Sequence, residues 1–308
     1  MKVLVSGLLN VETNVPVNEF PLNYTAVEYP TFKINSNVSG VGYNLVKAFQ
    51  TLGDTPDIIS YLGKDVQGDI VKKQLENDGI STDTVSETLL NTPVSVILVD
   101  ANGRRQIFTD LKDTQEQTAD TNSSTVAEKI KNANIVCACN INFSRSVLDK
   151  AREMGKTVAT DVHALSNVYD LYNKDFMAKS DILFMSDEHL PNSPEKIIGF
   201  LREQYEHKVI VIGMGSKGAM LFDREFESTY MLGAAKLGNV KNTVGAGDSL
   251  FSSFLHYYAK SMNCIDALRR AETFAALKIQ HDGGAVGFST ETEVEKALKY
   301  ADITVTKL

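Results

Sequence analysis

Three features are scarce in this sequence, and each scarcity excludes a class of protein. The 308-residue chain has only three cysteines, Cys137, Cys139 and Cys264, which are too few for a disulfide framework and fit a reducing cytoplasm. No apolar run approaches the ~18–20 residues of a membrane span. Acidic residues (39) outnumber basic residues (31), giving a net charge of −8. We therefore expect a cytoplasmic protein that binds neither membrane nor nucleic acid.

The composition is that of an ordinary globular protein. Apolar residues make up 43% and charged residues 23% of the chain, which excludes a disordered or fibrous protein. The length allows one large domain or two ordinary ones. Because the sequence contains no internal repeat, low-complexity tract or long linker, we predict a single domain over residues 1–308.

Strand-like and helix-like patterns alternate through most of the chain, which predicts an α/β fold with a mostly parallel sheet covered on both faces. The predicted strands are Lys2–Leu9, Asp57–Tyr61, Ile135–Ala138, Thr157–Asp161, Ile182–Met185 and Lys208–Ile212. The predicted helices are Gly42–Leu52, Ile70–Asp78, Ser123–Asn132, Arg145–Met154 and Glu195–Tyr205.

Two segments interrupt the alternation. Residues 14–35 and 92–110 are strand-like, and the second contains the turn pair Asn102-Gly103. We expect them to form a small β-layer at one edge of the core, covering a cleft at the carboxyl ends of the parallel strands. An exposed edge of this layer favours pairing with a second copy, so we also expect a homodimer through it.

A glycine motif, Gly213-Met214-Gly215-Ser216-Lys217-Gly218, follows a predicted strand and matches G-x-G-x-x-G. A dinucleotide-binding fold also needs a helix directly after the motif and an acidic residue about 20 positions on. Residues 219–222 look like another strand, and residues 233–236 contain no acid. We therefore reject the dinucleotide interpretation.

The most informative segment is Asn242-Thr243-Val244-Gly245-Ala246-Gly247-Asp248-Ser249. An amphipathic helical pattern follows it, so Gly245 and Gly247 lie where a helix begins. Backbone N–H groups and the helix dipole attract an anion there. Asp248 beside a phosphate would accept a proton from an attacking hydroxyl. The alternative is that Asp248 only caps the helix and the glycines only form a turn.

Four segments together resemble the ribokinase-like (PfkB) family of carbohydrate and nucleoside kinases. The family patterns are G-G-x-G-x-N before a helix ending in L-G, V-G-D-D-x-F-G, T-L-G-x-x-G and D-T-x-G-A-G-D. The matching segments are Ser39–Asn44 with Leu52-Gly53, Leu62–Gly68, Gly213–Gly218 and Asn242–Asp248. The resemblance runs over nearly the whole chain and implies a three-layer α/β/α core with a small β-sheet lid.

The resemblance also implies roles for individual residues. Asp248 would be the catalytic base, and the N–H groups of Gly245, Ala246 and Gly247 would form the anion hole for the γ-phosphate of ATP, which is accompanied by Mg²⁺. The residues expected along the nucleotide are Gly213, Gly215, Ser216 and Gly218. The residues expected at the acceptor are Glu12, placed on the first strand, together with Gly40, Asn44 and Asn140.

Three positions depart from the family pattern. The N-x-x-E element of the family reads Ser186-Asp187-Glu188-His189, so we expect Ser186 near the nucleotide and Asp187 or Glu188 to supply the carboxylate toward Mg²⁺. Asn242 replaces an Asp that helps to bind K⁺ in potassium-activated members, which puts a K⁺ requirement in doubt. Ser39 replaces a Gly.

The acceptor class stays open between two alternatives, of which we favour a sugar. Glu12, Asn44 and Asn140 could bind the hydroxyl groups of a sugar. The basic residues of the predicted β-layer, Lys33, Arg104 and Arg105, could bind the phosphate of a phosphorylated sugar. A nucleoside needs an aromatic slot for its base; the candidates for it are Tyr29, Phe32, Tyr43 and Phe108. A further alternative is a non-catalytic sugar or nucleotide sensor on the same fold.

Overall fold

The computed structural model describes residues 1–31, 33–100 and 104–308. The predicted turn at Asn102-Gly103 and the aromatic candidate Phe32 lie outside the described residues. The strands are β1 Lys2–Ser6, β2 Asn10–Pro16, β3 Asn35–Ser39, β4 Thr55–Gly63, β5 Val85–Leu89, β6 Val94–Val99, β7 Arg105–Asp110, β8 Ile135–Ala138, β9 Thr157–Ala164, β10 Ile182–Ser186, β11 Val209–Gly213, β12 Ala219–Asp223, β13 Ser228–Leu232 and β14 Val305–Lys307. The α-helices are α1 Val41–Thr51, α2 Val66–Asn77, α3 Ser124–Asn132, α4 Ser144–Glu153, α5 Lys174–Lys179, α6 Pro194–Gln204, α7 Ala246–Ser261, α8 Cys264–Lys278 and α9 Glu291–Leu298.

A ten-stranded sheet forms the centre of the molecule, in the order β14-β13-β12-β11-β10-β9-β8-β1-β4-β5. The strands from β11 to β5 in this order pair in parallel, and β12, β13 and β14 extend one edge antiparallel. Parallel strands require crossover connections, which the helices supply. The predicted mostly parallel sheet is confirmed.

Two hydrophobic cores lie on opposite faces of this sheet. Alternate residues of β1 point to opposite faces, as a strand requires: Val3 and Val5 pack in one core and Leu4 in the other. The first core takes residues from α1, α2, α7 and α8, including Phe49 and Phe254. The second takes residues from α3, α4, α5 and α6. The three-layer α/β/α arrangement is thereby confirmed.

A separate four-stranded sheet, here called the small sheet, has the order β3-β2-β6-β7. Its existence confirms the predicted β-layer, but the prediction that residues 14–35 are strand-like is wrong for most of that range. The strands instead occupy Asn10–Pro16 and Asn35–Ser39, and the described residues between them contain no strand. Those residues are mostly exposed and polar or aromatic, so they lack the alternating buried face of a strand. The dimer through the small sheet stays a prediction.

The three cysteines are buried and free, as expected for core residues. Among the residues that the structure describes, no helix is long and apolar enough to cross a bilayer. The predicted elements of the core are found with end shifts of a few residues. The helix predicted at Ile70–Asp78 begins earlier, at Val66, because Asp65 caps it by accepting a 2.8 Å hydrogen bond from the Gly68 N–H.

Candidate active site

The start of α7 forms the centre of the candidate site, at the carboxyl ends of the parallel strands. Gly245 precedes the helix with φ +76°, and a Cβ there would lie 2.4 Å from the Gly284 carbonyl oxygen, so only glycine fits. Among the residues that the structure describes, no side chain caps this helix end. Asp161, near the end of β9, lies beside Gly247, with Oδ2 4.0 Å from the position of a Cβ on that glycine.

The N–H groups that are free at the start of α7 are not quite the set predicted for the anion hole. Ala246 donates to the Thr243 carbonyl at 3.2 Å, so its N–H is already used within the chain. Among the described residues, no acceptor bonds the N–H groups of Gly245, Gly247 or Asp248. Unsatisfied N–H groups at a helix N-terminus are an anion-binding arrangement.

Asp248 is joined to the acceptor-side residues by a chain of hydrogen bonds. The Asn44 amide donates to Asp248 Oδ2 at 2.6 Å, and Asn44 Oδ1 lies 3.2 Å from the Ser39 hydroxyl. That hydroxyl donates to Glu12 Oε2 at 3.0 Å. The chain therefore brings together residues of α7, α1, β3 and β2 that the sequence separates widely.

The environment of Asp248 favours a carboxyl that can accept a proton. Burial raises the pKa of Asp248, while the nearby His163 and the hydrogen bond from Asn44 lower it. Asp161 opposes them and raises the pKa of Asp248. A carboxyl group whose pKa lies above the usual range is the kind of group found at catalytic bases.

Asp161 and His163 are site neighbours that the sequence reasoning missed. Both lie on β9, and His163 Nδ1 is 3.6 Å from Asp161 Oδ2. The available signal was Asp161 at the end of a buried strand, where open α/β sheets place ligands. Neither residue belongs to one of the four motifs.

The predicted acceptor residue Glu12 lies on a buried polar face of β2. Asn10, Glu12 and Asn14 alternate along this strand and are 3%, 5% and 9% exposed. Glu12 therefore lies on β2 of the small sheet, and its predicted place on the first strand is wrong because β1 already ends at Ser6. Gly40, which connects β3 to α1 with φ +97°, approaches the Leu8 carbonyl so closely that a Cβ would lie 2.5 Å from the oxygen.

Asn140 follows β8 at the carboxyl edge of the sheet. Its amide donates to Asn173 Oδ1 at 3.1 Å and lies 3.5 Å from the Val162 carbonyl oxygen. Asn140 therefore lies just after β8, and its amide is engaged by a neighbouring loop.

The predicted nucleotide side lies at the ends of β10 and β11. The Ser186 hydroxyl accepts from the Glu188 N–H at 3.1 Å. Gly213 ends β11, Gly215 and Ser216 are exposed, and Gly218 turns the chain into β12, so the G-x-G-x-x-G segment joins two strands. The strand predicted at residues 219–222 is thereby confirmed.

Of Lys33, Arg104 and Arg105, the basic residues proposed to bind a phosphorylated sugar, Arg105 contacts the segment just before α7. Its guanidinium donates to the Thr243 hydroxyl, and Nη2 lies 3.9 Å from Glu188 Oε1. Arg104 instead pairs with Asp100, with Nε 2.6 Å from Oδ2, and Lys33 is exposed. A positive charge from the small sheet therefore faces the candidate phosphate site.

The aromatic slot expected for a nucleoside base does not form from the candidates described. Tyr43 is 4% exposed and donates to Asp78 Oδ2 at 2.6 Å, within the helical layer. Tyr29 and Phe108 are 86% and 53% exposed. Tyr43 is thus a packing residue.

The model of the pfkB family of carbohydrate kinases matches residues 1–292, and the chain belongs to this family. It is therefore a phosphotransferase with an alcohol group as acceptor. A deoxyribokinase of Salmonella typhi is 25% identical over 92% of this chain and 94% of its own.

Solved structures agree with this fold. A microbiome-derived acarbose kinase aligns with a TM-score of 0.86 at 24% identity, over 97% of this chain and 98% of that one. The Arabidopsis thaliana ribokinase complexed with ribose and ATP aligns with a TM-score of 0.81 at 20% identity, with the same coverage.

Proposed function

We propose that the protein is an ATP-dependent kinase that transfers the γ-phosphate to a hydroxyl group of a small sugar. The observation that carries this proposal is the hydrogen-bonded connection from Asp248, at the uncapped start of α7, through Asn44 and Ser39 to Glu12. It joins a base beside an anion site to a buried polar surface.

In this mechanism Asp248 accepts the proton of the acceptor hydroxyl as its oxygen bonds to the γ-phosphorus. The bond from phosphorus to the leaving oxygen of ADP breaks in the same transfer. The N–H groups of Gly245 and Gly247 and the helix dipole stabilise charge on the transferred phosphoryl group. Arg105 adds a positive charge from the small sheet. Phosphoryl transfer depends chiefly on such positioning and charge stabilisation.

The protein offers few ligands for Mg²⁺ at this site. Among residues 1–31, 33–100 and 104–308, no group of three or more His, Cys, Asp or Glu side chains is arranged to hold a metal ion. Asp187 and Glu188 offer single carboxylates at the nucleotide side, 3.9 Å from Lys217 and Arg105 respectively. Mg²⁺ commonly binds through one or two carboxylates, substrate phosphates and water. We assign those two carboxylates to it; the ion would neutralise phosphate oxygens.

A sugar suits the acceptor face better than a nucleoside does. The Oδ1 atoms of Asn10 and Asn14 are buried without a hydrogen-bond partner among the described residues. Buried polar atoms without partners are costly, so this face is suited to a polar acceptor. The relatives named above act on sugars, which supports the same choice.

The test is a panel of free sugars, phosphorylated sugars and nucleosides with Mg·ATP, followed by ADP release. We expect turnover with one or more sugars. Turnover only with nucleosides would contradict the sugar assignment. ATP binding without turnover across the panel would favour the non-catalytic sensor.

The variant Asp248→Asn tests the base. We expect kcat to fall by about 10³-fold or more while sugar binding persists, because the amide cannot accept the proton. Asp266→Asn is the matched control, since Asp266 lies in the first turn of α8 and is exposed. Equal losses in both variants would contradict the role of Asp248.

A further inference from the structure

Lys278, the last residue of α8, is 0% exposed, which is unusual for a lysine. Its ammonium donates to the carbonyl oxygen of Val244. Val244 directly precedes Gly245, the residue before α7. The amine of Lys278 is therefore buried against the loop that presents the candidate anion hole.

The charges around this ammonium belong to the candidate site. Burial lowers the pKa of Lys278 to about 8, and the nearby Asp248, Glu12 and Asp282 oppose this shift. Arg105 acts in the same direction as burial. Lys278 thus interacts electrostatically with the proposed base, with the carboxylate of Glu12 and with Asp282 in the loop that follows α8.

The loop of residues 242–245, which precedes α7, is where the family resemblance raises the question of K⁺. The residues of this loop do not fit that ion. Asn242 is 4% exposed, and its Oδ1 accepts a 2.8 Å hydrogen bond from the Val244 N–H. The Val244 carbonyl is occupied by Lys278. Two oxygens that this loop would offer to a cation are already engaged, and Asn242 brings no negative charge.

We propose that the Lys278 ammonium is a built-in monovalent cation, which holds residues 243–247 in place and makes the kinase independent of K⁺. This inference rests on the proposed function, because it assigns that loop to the phosphate. A compact ammonium carries the charge of a monovalent ion, and its stem ties that charge to α8. Lys278 is a positioning residue, because its ammonium donates to the Val244 carbonyl rather than to the phosphate itself.

The first test uses the unaltered protein in KCl, NaCl and tetramethylammonium chloride at one ionic strength. We expect kcat, KM for ATP and the unfolding midpoint to agree among the three salts, with rates within about twofold. A several-fold stimulation by KCl, or a midpoint raised by KCl alone, would overturn the proposal. This comparison needs no variant and is therefore decisive even if the variants fail to fold.

The second test removes the charge. In Lys278→Ala we expect kcat to fall at least about tenfold, and KCl or methylammonium chloride to restore part of it. Lys278→Arg should keep K⁺ independence. Lys156→Met is the matched control, because Lys156 donates to the Ala133 carbonyl at 3.1 Å, before β9 and away from the site. It should show no response to K⁺.

Unfolding midpoints separate this inference from the proposed function. KCl should raise the midpoint of Lys278→Ala relative to tetramethylammonium chloride, whether or not an acceptor has been found. A variant that keeps wild-type kcat and shows no salt-specific midpoint would overturn the assignment of Lys278. Absence of turnover in the unaltered protein, with the salt-specific midpoint in the variant, would contradict only the kinase proposal.

Discussion

The side-chain amide of Asn44 donates a 2.6 Å hydrogen bond to Oδ2 of Asp248, across 204 residues of sequence. This contact joins the first turn of α1 to the first turn of α7, so that two family motifs meet in one structural unit. Because the amide donates to the charged form of the carboxyl group, it lowers the pKa of Asp248 against the effect of burial. Asn44 thus favours the ionised form of the proposed base, against the effect of burial.

Replacing Asn44 by leucine should shift the acid limb of the pH profile of kcat/KM to higher pH. The base must be deprotonated to act, and the loss of the Asn44 hydrogen bond raises the pKa of Asp248. The measurement is kcat/KM against pH from 5 to 9 in the leucine variant and the unaltered protein.

Asn134→Ala supplies the control, since the exposed Asn134 bonds the Lys2 N–H at the opposite edge of the sheet. It should leave the profile in place. An Asn44→Leu profile that falls in rate at all pH values without moving along the pH axis would contradict this role.

Arg105→Gln should reduce kcat by about 10–100-fold with a smaller change in KM for the sugar. The Arg105 guanidinium contacts Thr243 beside the anion hole, so its charge acts on the phosphoryl group as transfer proceeds. Arg104→Gln is the natural comparison, because the neighbouring Arg104 pairs with Asp100 instead. If both variants lose activity to the same extent, the effect belongs to the small sheet as a whole.

The parallel strands β1, β4, β8, β9, β10 and β11 and the helices α1, α2, α3, α4 and α6 were predictable from periodicity, whereas β5, α5, α8 and α9 were not predicted. Buried runs such as Ile135–Ala138, whose residues are all buried in β8, mark parallel strands without ambiguity. The strand prediction for residues 14–35 was wrong for most of that range, because scattered apolar residues there resemble the alternation of a strand. Pairing with β2 determines which residues here form a strand, and a local sequence pattern does not reveal that pairing.

The candidate site was predictable only where one short segment carries the chemistry. Residues 245–248 combine glycines, a helix start and a carboxylate, so local sequence was sufficient. Lys278 and Asp161 belong to no motif, and only the packing of α8 and β9 against α7 brings them to the loop. The polar residues Asn10 and Asn14 alternate along β2. From the sequence this pattern predicts an exposed strand face, whereas in the fold that face is buried.

Gly245→Ala should abolish most activity and lower stability, while Gly53→Ala should lower stability alone. Both glycines have positive φ, +76° and +89°, so each substitution carries about 1–2 kcal/mol of backbone strain. Of these two positions, a new Cβ would meet a carbonyl oxygen, that of Gly284, only at Gly245, whereas at Gly53 no atom of the described residues lies within 4 Å. Urea unfolding and kcat of both variants separate strain from the clash. Full activity in Gly245→Ala would contradict the proposed anion hole.

Glu272→Gln should stabilise the protein at pH 8 and leave it nearly unchanged at pH 5. Glu272 is 7% exposed, and burial raises its pKa to about 8 from the ordinary value of 4.5. Between these values the folded state retains a proton that the unfolded state has lost, so the stability of the unaltered protein falls as the pH rises through this window.

Glutamine is neutral at every pH and escapes this penalty, which amounts to a few kcal/mol at most, since each unit of pKa corresponds to about 1.4 kcal/mol. The measurement is the free energy of unfolding in urea at pH 5 and pH 8. Glu128→Gln, at an exposed position of α3, should give the same small change at both pH values. A Glu272→Gln protein whose gain is equal at pH 5 and pH 8 would show that packing, rather than the buried carboxyl group, sets the difference.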